Sequence, residues 1–183
     1  ADLAADIGRR SVDDATEDYV DIITFIEASW GLGLKLYPVQ RVILKAHYGM
    51  ALDDNPNGYP LDQKVPEKHP LYDKSLIDKN GFYKYRIVIT DFRRENSKYL
   101  SEAGYLKYIH EEGRCNIGEV VPGDQRREMV LSVGRRSGKT LITSCIVAYE
   151  SYKLLLKGNP QKYYGSSQSN VIQLISVATD RDQ

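Results

Sequence analysis

The 183-residue chain has little of several features that would assign it to a specialised class. It has two cysteines, Cys115 and Cys145, whose spacing fits neither a metal motif nor a disulfide scaffold, so we expect a reducing compartment. No apolar run approaches the roughly 18 residues that span a bilayer, and the first residues lack the pattern of a signal peptide. The 25 basic and 25 acidic side chains cancel, which argues against a free-standing nucleic-acid-binding domain, since such domains are usually basic overall.

What is present fits one folded domain with a small appendage. A hydrophobic fraction of 42% supplies a core, and the low hydrophobicity and high net charge of a disordered chain are absent. The chain does not begin with Met, so we expect that it was processed or cut from a longer protein. We divide it into a loose tail over 1–12, N-terminal helices over 13–50, an inserted subdomain over 51–125 and a nucleotide-binding core over 126–183.

The N-terminal part shows helical periodicity. Apolar residues at helical spacing predict a first helix over about 13–28. A second helix is predicted from Pro38, because proline suits a first turn, to Gly49.

The inserted part begins with a proline-rich loop over 51–81 that ends in a turn at Asn80 and Gly81. Alternating apolar residues then predict a strand over 82–90, and a helix is predicted over 101–112. The insertion names no chemistry of its own.

The last third predicts an α/β fold of the P-loop type. A short apolar run over 128–133 is followed by a glycine-containing turn, a helical pattern from Lys139 to about Lys157 and a second apolar run over 171–177. Strand, helix and strand at this spacing form a βαβ unit, which implies a parallel sheet.

The turn between the first strand and the helix resembles a phosphate-binding P-loop. Its residues are Gly134, Arg135, Arg136, Ser137, Gly138, Lys139 and Thr140. In such a loop, backbone N–H groups and the helix N-terminus surround a phosphate, the lysine reaches the outer phosphates and the threonine hydroxyl ligates Mg²⁺. The alternative is a glycine-containing turn with a surface lysine.

The loop departs from the standard pattern, because Val133 stands where the first glycine is usual. In this form it resembles the deviant Walker A motif of large terminase subunits, the ATPases that drive tailed-phage genomes into procapsids. The resemblance implies that Arg135 is a cis arginine finger or phosphate sensor and that Arg136 is a neighbouring phosphate or switch contact. The alternative for both arginines is a solvated pair.

Two further segments share this resemblance. Residues 36–44 are similar to the adenine-binding Q-motif of terminases and helicases, which implies that Gln40 reads adenine and that Tyr37 packs beside the base. Residues 175–183 are similar to the strand that follows the P-loop helix. As an alternative, Gln40 is a surface residue of its helix.

The resemblance implies an ATP- and Mg²⁺-dependent motor that translocates double-stranded DNA, with a portal protein and a small terminase subunit as partners. It further implies a homo-oligomeric ring at the procapsid in the host cytoplasm, with no membrane. We expect the Walker B acid, the catalytic glutamate and a nuclease domain to lie beyond this chain, and this chain alone to be inactive as an ATPase. The alternatives are another helicase-like P-loop ATPase and a non-hydrolysing nucleotide-binding module.

Three histidines, His47, His69 and His110, lack the spacing of metal ligands and are interpreted as structural or surface residues. Cys145 falls on the apolar face of the P-loop helix, where we expect a small core residue.

Overall fold

The computed structural model describes residues 19–55, 58–70, 72–91, 96–134 and 137–175. Within these ranges the chain forms helices and one two-stranded antiparallel sheet. In chain order the elements are α1 (Ile22–Glu27), α2 (Pro38–His47), β1 (Ile87–Asp91), β2 (Asn96–Leu100), α3 (Glu102–Glu111), α4 (Lys139–Leu156) and α5 (Pro160–Tyr163). None of the helices in these ranges combines the length and apolarity needed to cross a bilayer.

The first helix is shorter than its apolar pattern predicts. The Asp21 side chain accepts a hydrogen bond from the Thr24 backbone N–H at 2.9 Å, and Asp21 itself has extended backbone angles. This N-cap starts the helix at Ile22, so the predicted helix over 13–28 is wrong for residues 19–21. The part of that prediction over 13–18 lies outside the described residues.

The second helix has the predicted start and nearly the predicted end. Pro38 occupies its first position, and the Gln40 side-chain Oε1 accepts a hydrogen bond from the Tyr37 N–H at 2.9 Å. The helix ends at His47, and Gly49 follows with φ of 61°, a conformation that favours glycine.

The main core lies where α1, α2 and α4 meet. Its buried members come from α1, α4 and the segment from Leu36 to Leu44; they are Ile22, Ile23, Phe25, Ile26, Leu36, Leu44, Ile142, Cys145 and Tyr149. The Phe25 ring stacks on Tyr152 with centroids 4.8 Å apart. The prediction of Cys145 as a core residue is confirmed, since its side chain is buried.

The insertion has a small core of its own around the predicted turn. Gly81 has φ of 85°, and Ile77 pairs with Tyr83 across the turn. The predicted strand over 82–90 starts only at Ile87, because Tyr83 pairs back across the turn and the chain turns again before β1. The alternating pattern over 82–90 therefore covers two separate structures, the bridge at Tyr83 and strand β1.

The hairpin and α3 attach the insertion to α2. Strands β1 and β2 pair with Ile87 opposite Leu100, and the Ser101 hydroxyl caps α3 by accepting from the Gly104 N–H at 3.1 Å. Val42 of α2, Ile87 of β1 and Leu106 of α3 then form one buried cluster. The helix predicted over 101–112 is confirmed.

The predicted parallel sheet is absent from the described residues. Residues 128–133 and 171–175 belong to no strand, and residues 176 and 177 lie outside the described part. A strand exists only through hydrogen bonds to a neighbour, and an apolar run supplies buried side chains without supplying that neighbour. Val130, in the first run, is 98% exposed.

Candidate functional site

Helix α4 begins at a glycine in the left-handed region. Gly138 is its N-cap, with φ of 81° and ψ of 21°, and no side chain caps the helix. The first N–H groups of an α-helix have no acceptor within the helix, and the first turn of α4 carries no acidic residue. This end of the 18-residue helix therefore offers backbone donors and the positive end of its dipole to an anion.

The polar side chains around this end face solvent. Ser137, Lys139 and Thr140 are exposed. Gly134 is also exposed, and a Cβ built on it would meet nothing within 4 Å. The structure thus places two hydroxyl groups and an ammonium group at the first turn of α4. Arg135 and Arg136 lie outside the described residues.

The structure brings the two predicted motifs into contact. A Cβ built on Gly138 would lie 2.6 Å from Nε2 of Gln40, so the Gln40 amide fills the space that a larger residue at position 138 would need. Gln40 is 6% exposed, whereas Tyr37 is 73% exposed. The two ends of the Gln40 amide have different neighbours: Oε1 holds the start of α2, and Nε2 lies against the loop.

The residue after Gln40 belongs to an ionic cluster, the Glu102 cluster, formed by the buried Arg41, Lys45 and Glu102 and by Glu27 at its exposed edge. Glu102 is 0% exposed. Its Oε1 accepts from Arg41 Nε at 3.2 Å and its Oε2 from Lys45 Nζ at 2.5 Å. Arg41 Nη1 also donates to Glu27 Oε2 at 2.6 Å, so the cluster joins α1, α2 and α3.

Charge stabilises Arg41 in this buried position. Burial opposes the charged form, but the hydrogen bond and charge of Glu27, with Tyr85 and Glu102, outweigh it and raise the pKa of Arg41. The Arg41 guanidinium also lies 4.3 Å from the centroid of the Tyr85 ring. At the edge of the cluster, burial raises the pKa of Asp53, with Glu102 adding to the effect.

Sequence reasoning missed the Glu102 cluster. A signal was available, because Arg41 and Lys45 are four residues apart and so lie on one face of α2. Two cations on one face of an otherwise apolar helix need an anion if that face is buried.

A cavity of about 250 Å³ lies at the other end of α4, apart from the loop. Its wall includes Tyr48, Tyr149, Glu150 and Lys153. Glu150 accepts from the Tyr48 hydroxyl at 2.7 Å and pairs with Lys153 at 2.9 Å. Burial, with Asp21 and Glu150, raises the pKa of Tyr149 to about 12. The cavity wall therefore combines aromatic rings with polar groups that already bind one another.

The three histidines do not converge. Among the described residues, no group of three His, Cys, Asp or Glu side chains could hold a metal ion. His47 is partly buried, and its Nδ1 is buried without a hydrogen-bond partner in the described part of the chain. Burial lowers the pKa of His47.

The glycine-started helix and the lysine and threonine that follow it are the features of a P-loop domain. A family model described as "Uncharacterized protein MJ0330, N-terminal P-loop domain" matches residues 61–183, more than half of the chain. The chain belongs to this family. No curated protein and no solved structure matches it significantly. The family match supports a nucleotide-binding P-loop domain and starts inside the predicted insertion.

Proposed function

We propose that this chain binds ATP with Mg²⁺ at residues 134–140 and is the ATP-binding part of a large terminase, a motor that moves double-stranded DNA into a viral procapsid. The observation that carries nucleotide binding is the start of α4. A left-handed glycine without a side-chain cap is followed directly by an exposed lysine and an exposed threonine.

These residues fit a triphosphate and its metal. The N–H groups of the first turn of α4 donate to phosphate oxygens, and no acidic side chain in that turn repels them. The Lys139 ammonium balances charge on the outer phosphates, and the Thr140 hydroxyl is a ligand for Mg²⁺. The close approach of Gln40 to Gly138 shows why a glycine is needed there.

The other side-chain roles rest on the resemblance of the motifs. Tyr37, exposed at the start of α2, stacks on the base, and Gln40 contributes its amide to the adenine edge. Arg135 stabilises charge on the transferred phosphoryl group, and Arg136 is a second phosphate contact. A guanidinium suits both tasks because it is planar, permanently charged and bidentate towards phosphate.

The form of the loop and the Q-like motif support the more specific proposal that the ATPase packages DNA. In this proposal the partners are double-stranded DNA, a portal protein, a small terminase subunit and further copies in a ring, in the host cytoplasm. Hydrolysis also requires a Walker B aspartate and a glutamate from a later part of the protein. A helicase-like P-loop ATPase and a non-hydrolysing nucleotide-binding module are the alternatives.

Nucleotide binding is tested by titrating a fluorescent ATP analogue with Mg²⁺ into the chain and into Lys139→Ala. We expect Lys139→Ala to lose about tenfold or more in affinity, because a charge-assisted contact to phosphate disappears. Lys107→Ala is the matched control, since it removes an exposed lysine of α3 with the same change of net charge. Equal affinity of wild type and Lys139→Ala would contradict the proposal.

The packaging function is tested in the longer protein. A terminase hydrolyses ATP faster when procapsids and linear double-stranded DNA are present, whereas a helicase unwinds a duplex. Arg135→Ala is expected to reduce ATP turnover more than ATP binding. A pure binding defect in this variant would remove the arginine-finger role.

A further inference from the structure

Helix α2 connects the phosphate loop to the insertion through two consecutive residues. Gln40 lies against Gly138, and Arg41 is bound by Glu102 of α3. We propose that Glu102 is a positioning residue for the nucleotide site, which holds α2 so that Gln40 stays against the loop. This inference rests on the proposed nucleotide binding at residues 134–140.

Glu102 is fully buried. Its carboxylate accepts from Arg41 and Lys45 of α2 and from the backbone N–H of Asp53 at 3.0 Å. A fully buried carboxylate must keep such partners, because an unpaired charge in a protein interior is strongly unfavourable. The contacts therefore fix the distance between α2 and α3 to within the tolerance of a hydrogen bond.

The Arg41 guanidinium is held in one orientation by several partners. Its guanidinium donates to Glu102 through Nε and to Glu27 of α1 through Nη1, and it lies over the Tyr85 ring. A planar guanidinium bound on several sides has little freedom to rotate. Arg41 therefore fixes the rotation of α2 about its axis as well as its position.

The Gln40 side chain connects α2 to the loop. The Gln40 side chain is tied to the start of its own helix through the Tyr37 N–H, so it moves with α2. A shift of α2 changes the gap between Gln40 Nε2 and Gly138, which is already a close contact. Misplacement of about 1 Å at a site that binds phosphates through oriented donors is costly.

These contacts connect the insertion to the proposed nucleotide site, although Glu102 itself lies outside residues 134–140. Glu102 belongs to α3, which is joined to the β1–β2 hairpin and packs on α2 through Leu106 and Val42.

The test is a double-mutant cycle on the whole chain, with the affinity for the fluorescent ATP analogue as the readout. The variants are Glu102→Gln, Gln40→Ala and the two combined. Glu102→Gln keeps the size and one oxygen acceptor but removes the charge that orients Arg41 and Lys45. All affinities are measured at a temperature where circular dichroism shows each variant to be folded.

We expect Glu102→Gln to weaken affinity at least about fivefold, a typical lower value for coupling between sites. In the combined variant we expect little loss beyond that of Gln40→Ala, because Glu102 acts through Gln40. Glu150→Gln is the matched control: it neutralises a carboxylate at the other end of the core and should change affinity less than about twofold.

Wild-type affinity in Glu102→Gln, or losses that multiply in the combined variant, would overturn the inference. If Glu102→Gln does not fold, Arg41→Lys replaces it in the same cycle, because a lysine cannot reach both Glu27 and Glu102 as the guanidinium does. Failure of the proposed function gives a different result, namely equal affinity of wild type and Lys139→Ala.

Discussion

Two carboxylates are held at different depths by α2 and the residue that follows it. Within the helix, Arg41 and Lys45 hold Glu102, which is 0% exposed. Just beyond its end, Tyr48 holds Glu150, whose side chain is 33% exposed and also pairs with Lys153. The deeper carboxylate is bound by Arg41, the neighbour of the residue that lies against the phosphate loop, so the better buried of the two ionic contacts is the one next to the candidate site.

The two ends of α4 differ in a complementary way. At its start the helix leaves backbone donors without a side-chain cap, beside an exposed lysine. In its second half, Tyr149 donates its hydroxyl to the Val20 carbonyl at 2.9 Å and packs on Phe25 and Tyr48. Near Tyr149 the polar groups are satisfied within the protein, whereas the first turn leaves backbone N–H groups without a side-chain cap.

The largest expected effect contrasts the two carboxylates. Glu102→Leu leaves Lys45 and part of Arg41 buried without an anion, so we expect a loss of about 3 kcal/mol or more in the free energy of unfolding. Glu150→Leu breaks a partly exposed pair, and we expect a loss of about 1 kcal/mol.

Urea unfolding followed by circular dichroism measures both values. Equal losses in the two variants, or a larger loss in Glu150→Leu, would show that burial does not distinguish the two carboxylates.

The difference in burial and pairing between Glu102 and Glu150 could not be predicted from the sequence. The bounds of α2, α3 and α4 are set locally by Pro38, Ser101 and Gly138, so their patterns predict them closely. Glu102 is 61 positions from Arg41, and nothing near either residue specifies the pairing. For the contact of Gln40 with Gly138, the only sequence signal was the resemblance of residues 36–44 and 134–140 to nucleotide-binding motifs.

The predicted parallel strands failed for the same reason. An apolar run fixes which side chains prefer burial, but pairing depends on segments elsewhere in a structure. Within the described residues the only ladder joins β1 to β2, two neighbours in sequence that a short connection can bring together.

A smaller effect is expected from the two glycines that flank α4. Gly138 and Gly158 both have positive φ, 81° and 63°, so alanine at either position costs about 1–2 kcal/mol of backbone strain. Only at Gly138 would the new Cβ meet Gln40, at 2.6 Å from Nε2, whereas nothing lies within 4 Å at Gly158.

We therefore expect Gly138→Ala to lower the free energy of unfolding more than Gly158→Ala, because the collision with Gln40 adds to the shared backbone strain, and nucleotide affinity to fall only in Gly138→Ala. Adding Gln40→Ala to Gly138→Ala should recover part of the stability, because it removes the collision. Equal affinities of the two alanine variants would break the distinction between the two ends of α4.

The smallest expected effect is a pH dependence confined to the far end of α2. Burial, with the charge of Lys153, lowers the pKa of His47 below its ordinary 6.5, although Glu150 opposes the shift. Between the lowered pKa and 6.5 the unfolded chain binds more protons at this residue than the folded chain does. The contribution of His47 to stability is therefore complete above pH 6.5 and is lost as the pH falls through the folded pKa.

Urea midpoints at about pH 7.5 and about pH 5.5 measure this contribution, since the two values lie on either side of the ordinary histidine pKa. We expect His47→Gln to lose less stability over this interval than wild type. Acidic side chains contribute equally in both proteins, so the difference isolates His47. An unchanged pH dependence in His47→Gln would mean that protonation at this end of α2 has no effect on folding.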